Sequence, residues 1–364
     1  MTGIYLHLPV CASKCPYCDF YSLPAHPAQM DRYLTALLKE IDSVPAGTSA
    51  DTVYFGGGTP ILVGTGRLSA VLDRLRERFA LSPDAEITLE ANPFSFPERE
   101  YEALLALGFD RLSFGVQSTR ENELNLLGRK QGPRLIRTAL TRAKAAGFRN
   151  LSADLMLGIP EQTVDSLKES VDTLAAFDLQ HLSAYLLKIE EGTPFAAANL
   201  DLADEDGQAE LYLAAVELFE QAGYRQYEIS NFARPGFESR HNVKYWTGED
   251  YYGFGPAAHS FVGGVRFAHP RDLDGYIALS GNDRFVTDPA PDPLEERILL
   301  GLRLTKGIDL AEPLLAPHRD ALASAAAPLV RGGLLRQEGS TLACTPRGFL
   351  VSNAVIVKLL EAIE

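Results

Sequence analysis

The first two thirds of the chain alternate short apolar runs with amphipathic stretches, and this alternation constrains the fold more than any other feature. In residues 30–44, Tyr33, Leu37, Ile41 and Val44 recur at helical spacings of four and three. Six apolar runs predict strands at residues 4–9, 52–57, 86–92, 111–117, 150–160 and 181–189. Strands that alternate with helices favour parallel pairing through right-handed crossovers. The sequence therefore predicts an α/β fold, an open, partial (β/α)6 barrel of the TIM type.

Polar residues cluster where these predicted strands end. In a barrel of this kind, chemistry gathers at the carboxyl ends of the strands. Four of the strands end in "GGGTP", "EANP", "GVQS" and "GIPEQT", and Glu90, Gln117 and Asp154 come just before strand ends. Turn formation accounts for Asn92 and Pro93 among them, but it does not require Glu90, Gln117 or Asp154. These three side chains predict a functional site at one rim of the barrel.

The C-terminal part has a different pattern. The stretch "TDPAPDP" at 287–293 predicts a linker, and the residues that follow predict helices only. A short hairpin is then predicted around Glu338, Gly339 and Ser340, followed by a last helix, which together suggest a small winged-helix-like domain. The predicted division is residues 1–230 for the barrel, 231–286 for a connecting segment and 287–364 for the C-terminal domain.

Composition narrows the class of protein and its partners. The 364 residues include 48 Asp and Glu and 34 Lys and Arg, which gives a formal charge of −14. We expect an acidic surface that repels phosphate backbones, so no nucleic-acid partner is predicted. No apolar run reaches 18 residues, so no transmembrane segment is predicted. The first residues, "MTGIYLHLPV", do not resemble a signal peptide, and a cytoplasmic location is expected.

Three of the four cysteines lie within eight positions of one another. Cys11, Cys15 and Cys18 form the pattern Cys-x3-Cys-x2-Cys, which in a reducing compartment indicates metal or redox chemistry. A structural zinc site needs a fourth ligand, which His7 or Asp19 could provide. An iron–sulfur cluster of four irons is the alternative, and three cysteines would leave one iron open to a small molecule.

This cysteine pattern, with Tyr17 just before the last cysteine, resembles the signature of the radical S-adenosylmethionine superfamily. The resemblance implies a 4Fe–4S cluster on Cys11, Cys15 and Cys18. It also implies that the open iron binds the amine and carboxylate of S-adenosylmethionine, to which the reduced cluster passes one electron, releasing a 5′-deoxyadenosyl radical.

Further motifs fit the same superfamily. The stretch "YFGGGTP" at 54–60 matches its second motif, whose glycines let the backbone approach the cofactor closely. The resemblance assigns S-adenosylmethionine contacts to Tyr5, Tyr17, Gly57, Gly58, Thr59, Glu90, Gln117, Arg129 and Asp154. A carboxylate suits ribose hydroxyls and an arginine suits a carboxylate. No catalytic residue is predicted.

The chain is similar, over nearly its whole length, to the oxygen-independent coproporphyrinogen III oxidase group and, within it, to the branch of HemW-type heme chaperones. Phe20 stands where the oxidases have a further cysteine, and Cys11 comes too early for their N-terminal extension. The stretch "RHNVKYW" at 240–246 reproduces the His-Asn-x-x-Tyr-Trp motif of the chaperones. His241 in this motif is the candidate heme ligand. The alternative is that the motif forms a packed aromatic corner with a structural role. A glycine-rich turn is predicted over 251–260, and His259 within it is a second candidate ligand.

The resemblance implies a protein that binds heme and transfers it to acceptor hemoproteins. The sequence leaves open whether it forms a homodimer. The alternative is an enzyme that converts coproporphyrinogen III to protoporphyrinogen IX by radical oxidative decarboxylation. A third possibility is a protein with the same cofactors and another radical substrate.

Overall fold

The computed structural model describes residues 1–24, 26–94, 100–129, 132–198 and 200–363. Its strands are β1 Thr2–Leu8, β2 Thr48–Gly57, β3 Phe79–Ala91, β4 Arg111–Gln117, β5 Asn150–Leu157, β6 His181–Leu186, β7 Arg225–Gln226, β8 Asn231–Ala233, β9 Tyr251–Phe254, β10 His259–Val262, β11 Val265–Ala268, β12 Phe285–Asp288, β13 Ile308–Asp309, β14 Leu335–Glu338 and β15 Thr341–Cys344. Its α-helices are α1 Pro27–Ser43, α2 Thr65–Arg78, α3 Glu100–Leu107, α4 Glu121–Leu126, α5 Pro133–Ala146, α6 Val164–Ala175, α7 Glu205–Gln221, α8 Arg240–Thr247, α9 Leu273–Leu279, α10 Pro293–Gly301, α11 Arg319–Arg331, α12 Pro346–Leu350 and α13 Ser352–Leu360.

The six predicted strands are confirmed, and they lie side by side in chain order. Strands β1 to β6 pair in parallel throughout, each with the next. Because parallel neighbours all point the same way, their carboxyl ends meet at one rim. The predicted α/β partial barrel is thus confirmed.

The helices bury the apolar faces that the spacing predicts. In α1, Tyr33, Leu37 and Ile41 are fully buried. Helix α5 ends at the predicted cap, Gly147, whose φ of 109° is a left-handed conformation that favours glycine. Among the described residues, no helix is long and apolar enough to cross a membrane.

The sheet continues past the six central strands on both edges. Strands β8 and β7 add to β6 in antiparallel fashion. On the other edge β9 pairs in parallel with β1, and β10, β11 and β12 follow as antiparallel strands. The predicted glycine-rich turn over 251–260 is therefore wrong for much of its length, because it contains β9 and the start of β10. Gly253 is needed for close approach of these strands, since an added Cβ would lie 2.0 Å from the carbonyl oxygen of His259.

The prediction for the C-terminal part is confirmed in outline and is wrong in one detail. Strands β14 and β15 form the predicted hairpin, with Gly339 and Ser340 between them. The prediction of helices only after residue 293 fails at β13, which pairs with β15 and makes the wing three-stranded. A strand of two residues is too short to produce a periodic pattern. The predicted domain boundaries stay a prediction.

One buried carboxylate holds the added strands against the barrel. Glu40, on α1, accepts hydrogen bonds from the Gly255 backbone N–H at 3.2 Å and from the Tyr276 hydroxyl, and its Oε1 lies 2.8 Å from His269 Nε2. The other ring nitrogen of His269 lies 2.7 Å from Asp283. Burial lowers the pKa of His269, but the hydrogen bonds and charges of Glu40 and Asp283 outweigh it and raise the pKa overall.

This raised pKa predicts a pH-dependent stability. Protonated His269 stabilises the fold fully below its unfolded pKa of about 6.5, and the contribution is lost as the pH rises through the higher folded pKa. The difference in melting temperature between the wild type and Glu40→Gln should therefore shrink as the pH is raised from 6 to 9. Thermal unfolding followed by circular dichroism measures it, with the exposed Glu77→Gln as control. A difference that stays constant with pH would contradict the ionic role of this pair.

Candidate cofactor site at the carboxyl rim

A cavity of about 550 Å³ lies at the carboxyl ends of the parallel strands. Eleven of the thirteen residues predicted from the sequence line it: Cys11, Cys15, Tyr17, Cys18, Gly57, Gly58, Thr59, Glu90, Gln117, Arg129 and Asp154. Tyr5 and His241 do not. The structure therefore brings together side chains from six separate parts of the chain, and their individual roles remain predictions.

The glycine motif after β2 packs directly on the chain that leaves β1. The Gly58 N–H donates to the carbonyl of Leu8 at 2.9 Å, and the Thr59 N–H donates to that of Val10 at 2.6 Å. A Cβ on Gly58 would lie 2.3 Å from the Val10 oxygen, which is closer than real contacts allow. The Thr59 hydroxyl lies 3.5 Å from the Cys11 sulfur. The absence of a side chain at Gly58 thus lets the cysteine loop lie across the end of the sheet.

The three thiols of this loop are partly exposed and face the cavity. The loop is fixed at its base, where the Cys11 N–H donates to the Leu23 carbonyl at 3.1 Å and the Leu23 N–H to that of Pro9 at 2.9 Å. Burial raises the pKa of Cys18. Three thiols that line one cavity are the donor type that an iron–sulfur cluster uses.

The two candidates for a fourth zinc ligand, His7 and Asp19, are engaged with other groups. Among the described residues, no three His, Cys, Asp or Glu side chains, the three cysteines included, are grouped so that they could hold one metal ion directly. His7 is buried, with Nε2 2.8 Å from the Tyr21 carbonyl and Nδ1 3.1 Å from the Tyr5 hydroxyl. Burial lowers the pKa of His7 to about 4, and Asp19 is ion-paired with Arg271.

Carboxylates and an amide from three neighbouring strands line the inner wall. Glu90 accepts hydrogen bonds from the Tyr54 hydroxyl at 2.9 Å and the Gly57 N–H at 3.1 Å, so it also holds the glycine motif. Burial, with the nearby charge of Asp154, raises the pKa of Glu90 to about 7. Gln117 has a φ of 67° at a bulge between β4 and β5. A bulge at the end of a strand changes the direction in which a side chain points.

A positive group faces these acids across the cavity. The Arg129 guanidinium donates to the carbonyl of Gly115 at 2.6 Å and to the Tyr17 hydroxyl at 3.0 Å. It thereby links the end of β4 to the cysteine loop. Such a placed guanidinium can bind a ligand carboxylate.

Tyr5 lies behind the wall rather than in it. Its ring stacks on that of Tyr54, with centroids 6.1 Å apart, and a Cβ on Gly56 would lie 3.0 Å from it. Tyr5 can therefore support the wall through Tyr54, which does line the cavity.

His241 is placed as a structural residue. It is 1% exposed, and its Nδ1 and Nε2 lie 2.8 Å from the Thr52 and Tyr245 hydroxyls. Burial, with the charge of Lys244, lowers its pKa to about 3. Both ring nitrogens are used, so the structure gives no support to His241 as a heme ligand. Trp246 also packs away from the cavity, with the Arg303 guanidinium 5.7 Å from its ring centre.

The structure adds residues that the sequence reasoning missed. Arg111, His181 and Asn242 line the cavity below the predicted set. Arg111 is 1% exposed, and its Nε and Nη1 have no hydrogen-bond partner among the described residues. The only sequence signal for it is an arginine at the start of an otherwise apolar strand, "RLSFGVQ". It puts a positive charge inside the barrel.

Comparison with known proteins agrees with this fold. The model of the radical SAM superfamily matches residues 5–174, which contain the cysteine loop and the first five strands. A second model, for the HemN C-terminal domain, matches residues 288–351. The solved coproporphyrinogen III oxidase HemN of Escherichia coli superposes with a TM-score of 0.83 at 24% identity, covering 98% of this chain and 89% of that one. Fold and site together define a radical S-adenosylmethionine protein.

Relatives with higher sequence identity show to which branch of the superfamily the chain belongs. Proteins described as heme chaperone HemW are 37% identical in Mycobacterium tuberculosis, covering 98% of this chain and 94% of that one, and 34% identical in Bacillus subtilis, covering 98% of both. A mouse protein, radical S-adenosyl methionine domain-containing protein 1, mitochondrial, is 33% identical and covers 100% of this chain and 88% of its own. The chain belongs to the HemW family.

The contact at Gly58 predicts the effect of a single methyl group. Gly58→Ala should displace the Val10 backbone and the cysteine loop, lowering the iron and sulfide bound per chain after anaerobic reconstitution and costing about 1–3 kcal/mol of stability. Gly66→Ala is the matched control, because nothing lies within 4 Å of its added Cβ in α2. Full iron loading of Gly58→Ala would contradict the predicted role of this contact.

Proposed function

We propose that this protein is a heme chaperone, which binds heme and delivers it to acceptor hemoproteins, and that it carries a 4Fe–4S cluster and S-adenosylmethionine at the carboxyl rim. The observation that carries the proposal is the convergence of three thiols and eight further predicted residues on one cavity. Membership of the HemW family, whose curated members are described as heme chaperones, supports the assignment of heme as cargo.

The residues fit the cluster. Cys11, Cys15 and Cys18 would hold three of its irons. When bound, such a cluster leaves one iron open for S-adenosylmethionine and supplies an electron. The chain's own contribution is to fix the loop, through the backbone bonds to Gly58 and Thr59.

The residues also fit S-adenosylmethionine. A cavity of about 550 Å³ is within the usual range for small-molecule sites. The Arg129 guanidinium would bind the ligand's carboxylate, and Glu90 and Asp154 would accept hydrogen bonds from its hydroxyl or amino groups. Since burial raises the pKa of both carboxyl groups, their protonation will depend on what binds there.

One feature of the cysteine loop favours the chaperone over the oxidase. Phe20 is 66% exposed beside the cavity, at the position where the oxidase pattern has a further cysteine. The similarity to the solved oxidase concerns the fold, which both functions can share.

Titration with hemin and an oxidase assay on the same anaerobic preparation test the proposal. The chaperone is expected to show a Soret band at stoichiometric hemin and to transfer that heme to an apo-hemoprotein. It should form no protoporphyrinogen IX from coproporphyrinogen III with S-adenosylmethionine and a reductant. Absence of a Soret band, with and without the cluster, would reject the chaperone; tetrapyrrole product would support the enzyme.

The cluster assignment is tested separately. Cys15→Ser should lose most of the iron and the broad iron–sulfur absorption, because two thiolates cannot hold the cluster firmly. Cys344→Ala is the matched control, since Cys344 is buried in β15 outside the cavity. Iron and sulfide analysis after reconstitution measures both. If Cys15→Ser retained full iron, this ligand assignment would be wrong.

A further inference from the structure

A histidine that binds heme iron needs a ring nitrogen free of other bonds at a cavity large enough for a porphyrin edge. Four histidines fail the first condition, because both ring nitrogens are already hydrogen-bonded: His7, His181, His241 and His269. His26 accepts from the Ala28 N–H at the start of α1. These rings already form hydrogen bonds within the fold.

His259 meets both conditions. It is exposed, its ring makes no hydrogen bond to any residue that the structure describes, and it lines a second, open cavity of about 420 Å³. Burial lowers the pKa of His259, as do the positive charges of Arg266 and His269. A lowered pKa favours the neutral imidazole, which is the form that binds iron.

The backbone around His259 is firmly placed. His259 pairs with Ala268 across β10 and β11, and the His269 N–H donates to the Ala258 carbonyl at 2.9 Å. Gly255, three residues before Ala258, is held by Glu40 at 3.2 Å. The imidazole thus projects from a fixed strand start and not from a loose loop.

The walls of the second cavity suit a flat apolar ring with acidic substituents. Tyr21, Tyr245 and Tyr251 line it, and the exposed Phe20 stands at its edge. Arg271, about half exposed, lies at the rim, where its guanidinium contacts the Asp19 carboxylate and carbonyl. Aromatic faces pack against a porphyrin, and a guanidinium pairs with a carboxylate.

This cavity also borders the cysteine site. Asp19 and Phe20, which follow Cys18 directly, line both cavities. A ligand in the second cavity would therefore touch the same loop that holds the cluster.

From this geometry we propose that heme binds in the second cavity, with His259 as the iron ligand, the aromatic side chains against the ring and Arg271 pairing with a propionate. The assignment rests on the proposed function and locates its cargo site. The proposed iron ligand is thus His259, whose ring makes no hydrogen bond to a described residue, in place of the sequence-based candidate His241, whose two ring nitrogens are hydrogen-bonded.

Hemin titration of His259→Ala tests the iron bond. Removing the ligand should weaken hemin binding at least tenfold and shift the Soret band, and added imidazole should restore the band position. Metal-free protoporphyrin IX should bind the variant and the wild type alike, because it makes no iron bond. His318→Ala is the control, as that ring lies in the C-terminal part, away from this cavity.

The outcomes separate this inference from the proposed function. If the wild type binds no hemin, the chaperone itself is rejected. If the wild type binds hemin and His259→Ala binds it equally well with the same Soret band, the chaperone stands and His259 is not the ligand. Equal loss of hemin and metal-free porphyrin in His259→Ala would show a general effect on the cavity and overturn the iron bond.

A second variant tests the propionate contact. Arg271→Gln should weaken the binding of hemin but leave the binding of hemin dimethyl ester unchanged, because the ester has no carboxylate to pair. Iron content is measured alongside, since Arg271 also contacts Asp19 beside the cluster loop. Equal affinity of the wild type and Arg271→Gln for hemin would show that Arg271 does not pair with a propionate.

Discussion

The site depends on one close backbone contact, between the chain leaving β1 and the glycine motif at the end of β2. Two hydrogen bonds, from Gly58 to Leu8 and from Thr59 to Val10, join these segments. The approach is possible only because position 58 has no side chain. It fixes where the cysteine loop begins, and so it sets the three thiols over the carboxyl ends of the parallel strands. Glu90 holds the other side of the same motif through the Gly57 N–H.

A second buried interaction gives the barrel its additional edge. Glu40 binds Gly255, His269 and Tyr276 from a helix that is distant in sequence from all of them. Strand β9 thereby pairs with β1, and the turn into β10 is held in place. His269, one of the groups that Glu40 contacts, also lines the cavity that contains His259. The proposed cargo site and the cofactor site both border the cysteine loop, because Asp19 and Phe20 line both cavities.

Much of this arrangement could be predicted from the sequence, since it follows from local patterns. Apolar runs that alternate with helical spacings predict the six strands, and parallel pairing then brings Glu90, Gln117 and Asp154 to one rim. The cysteine spacing predicts the loop's chemistry. The two-residue strand β13 could not be predicted, because it is too short to have a period. Strand β9 could not be predicted as part of the sheet, because its partner β1 is nearly 250 residues earlier.

The sequence by itself determined the donor groups: three thiols in one short loop, glycines at a strand end and acids at two others. It also determined the order of the parallel strands, because short crossovers leave little choice. Only the tertiary structure decided which histidine with a free ring lies at a cavity. His241 bonds to Thr52, 189 positions away, whereas the ring of His259 makes no hydrogen bond to any residue that the structure describes. The hydrogen bonds of a side chain depend on residues that are distant in sequence and become neighbours in the fold. A short sequence motif does not contain those residues.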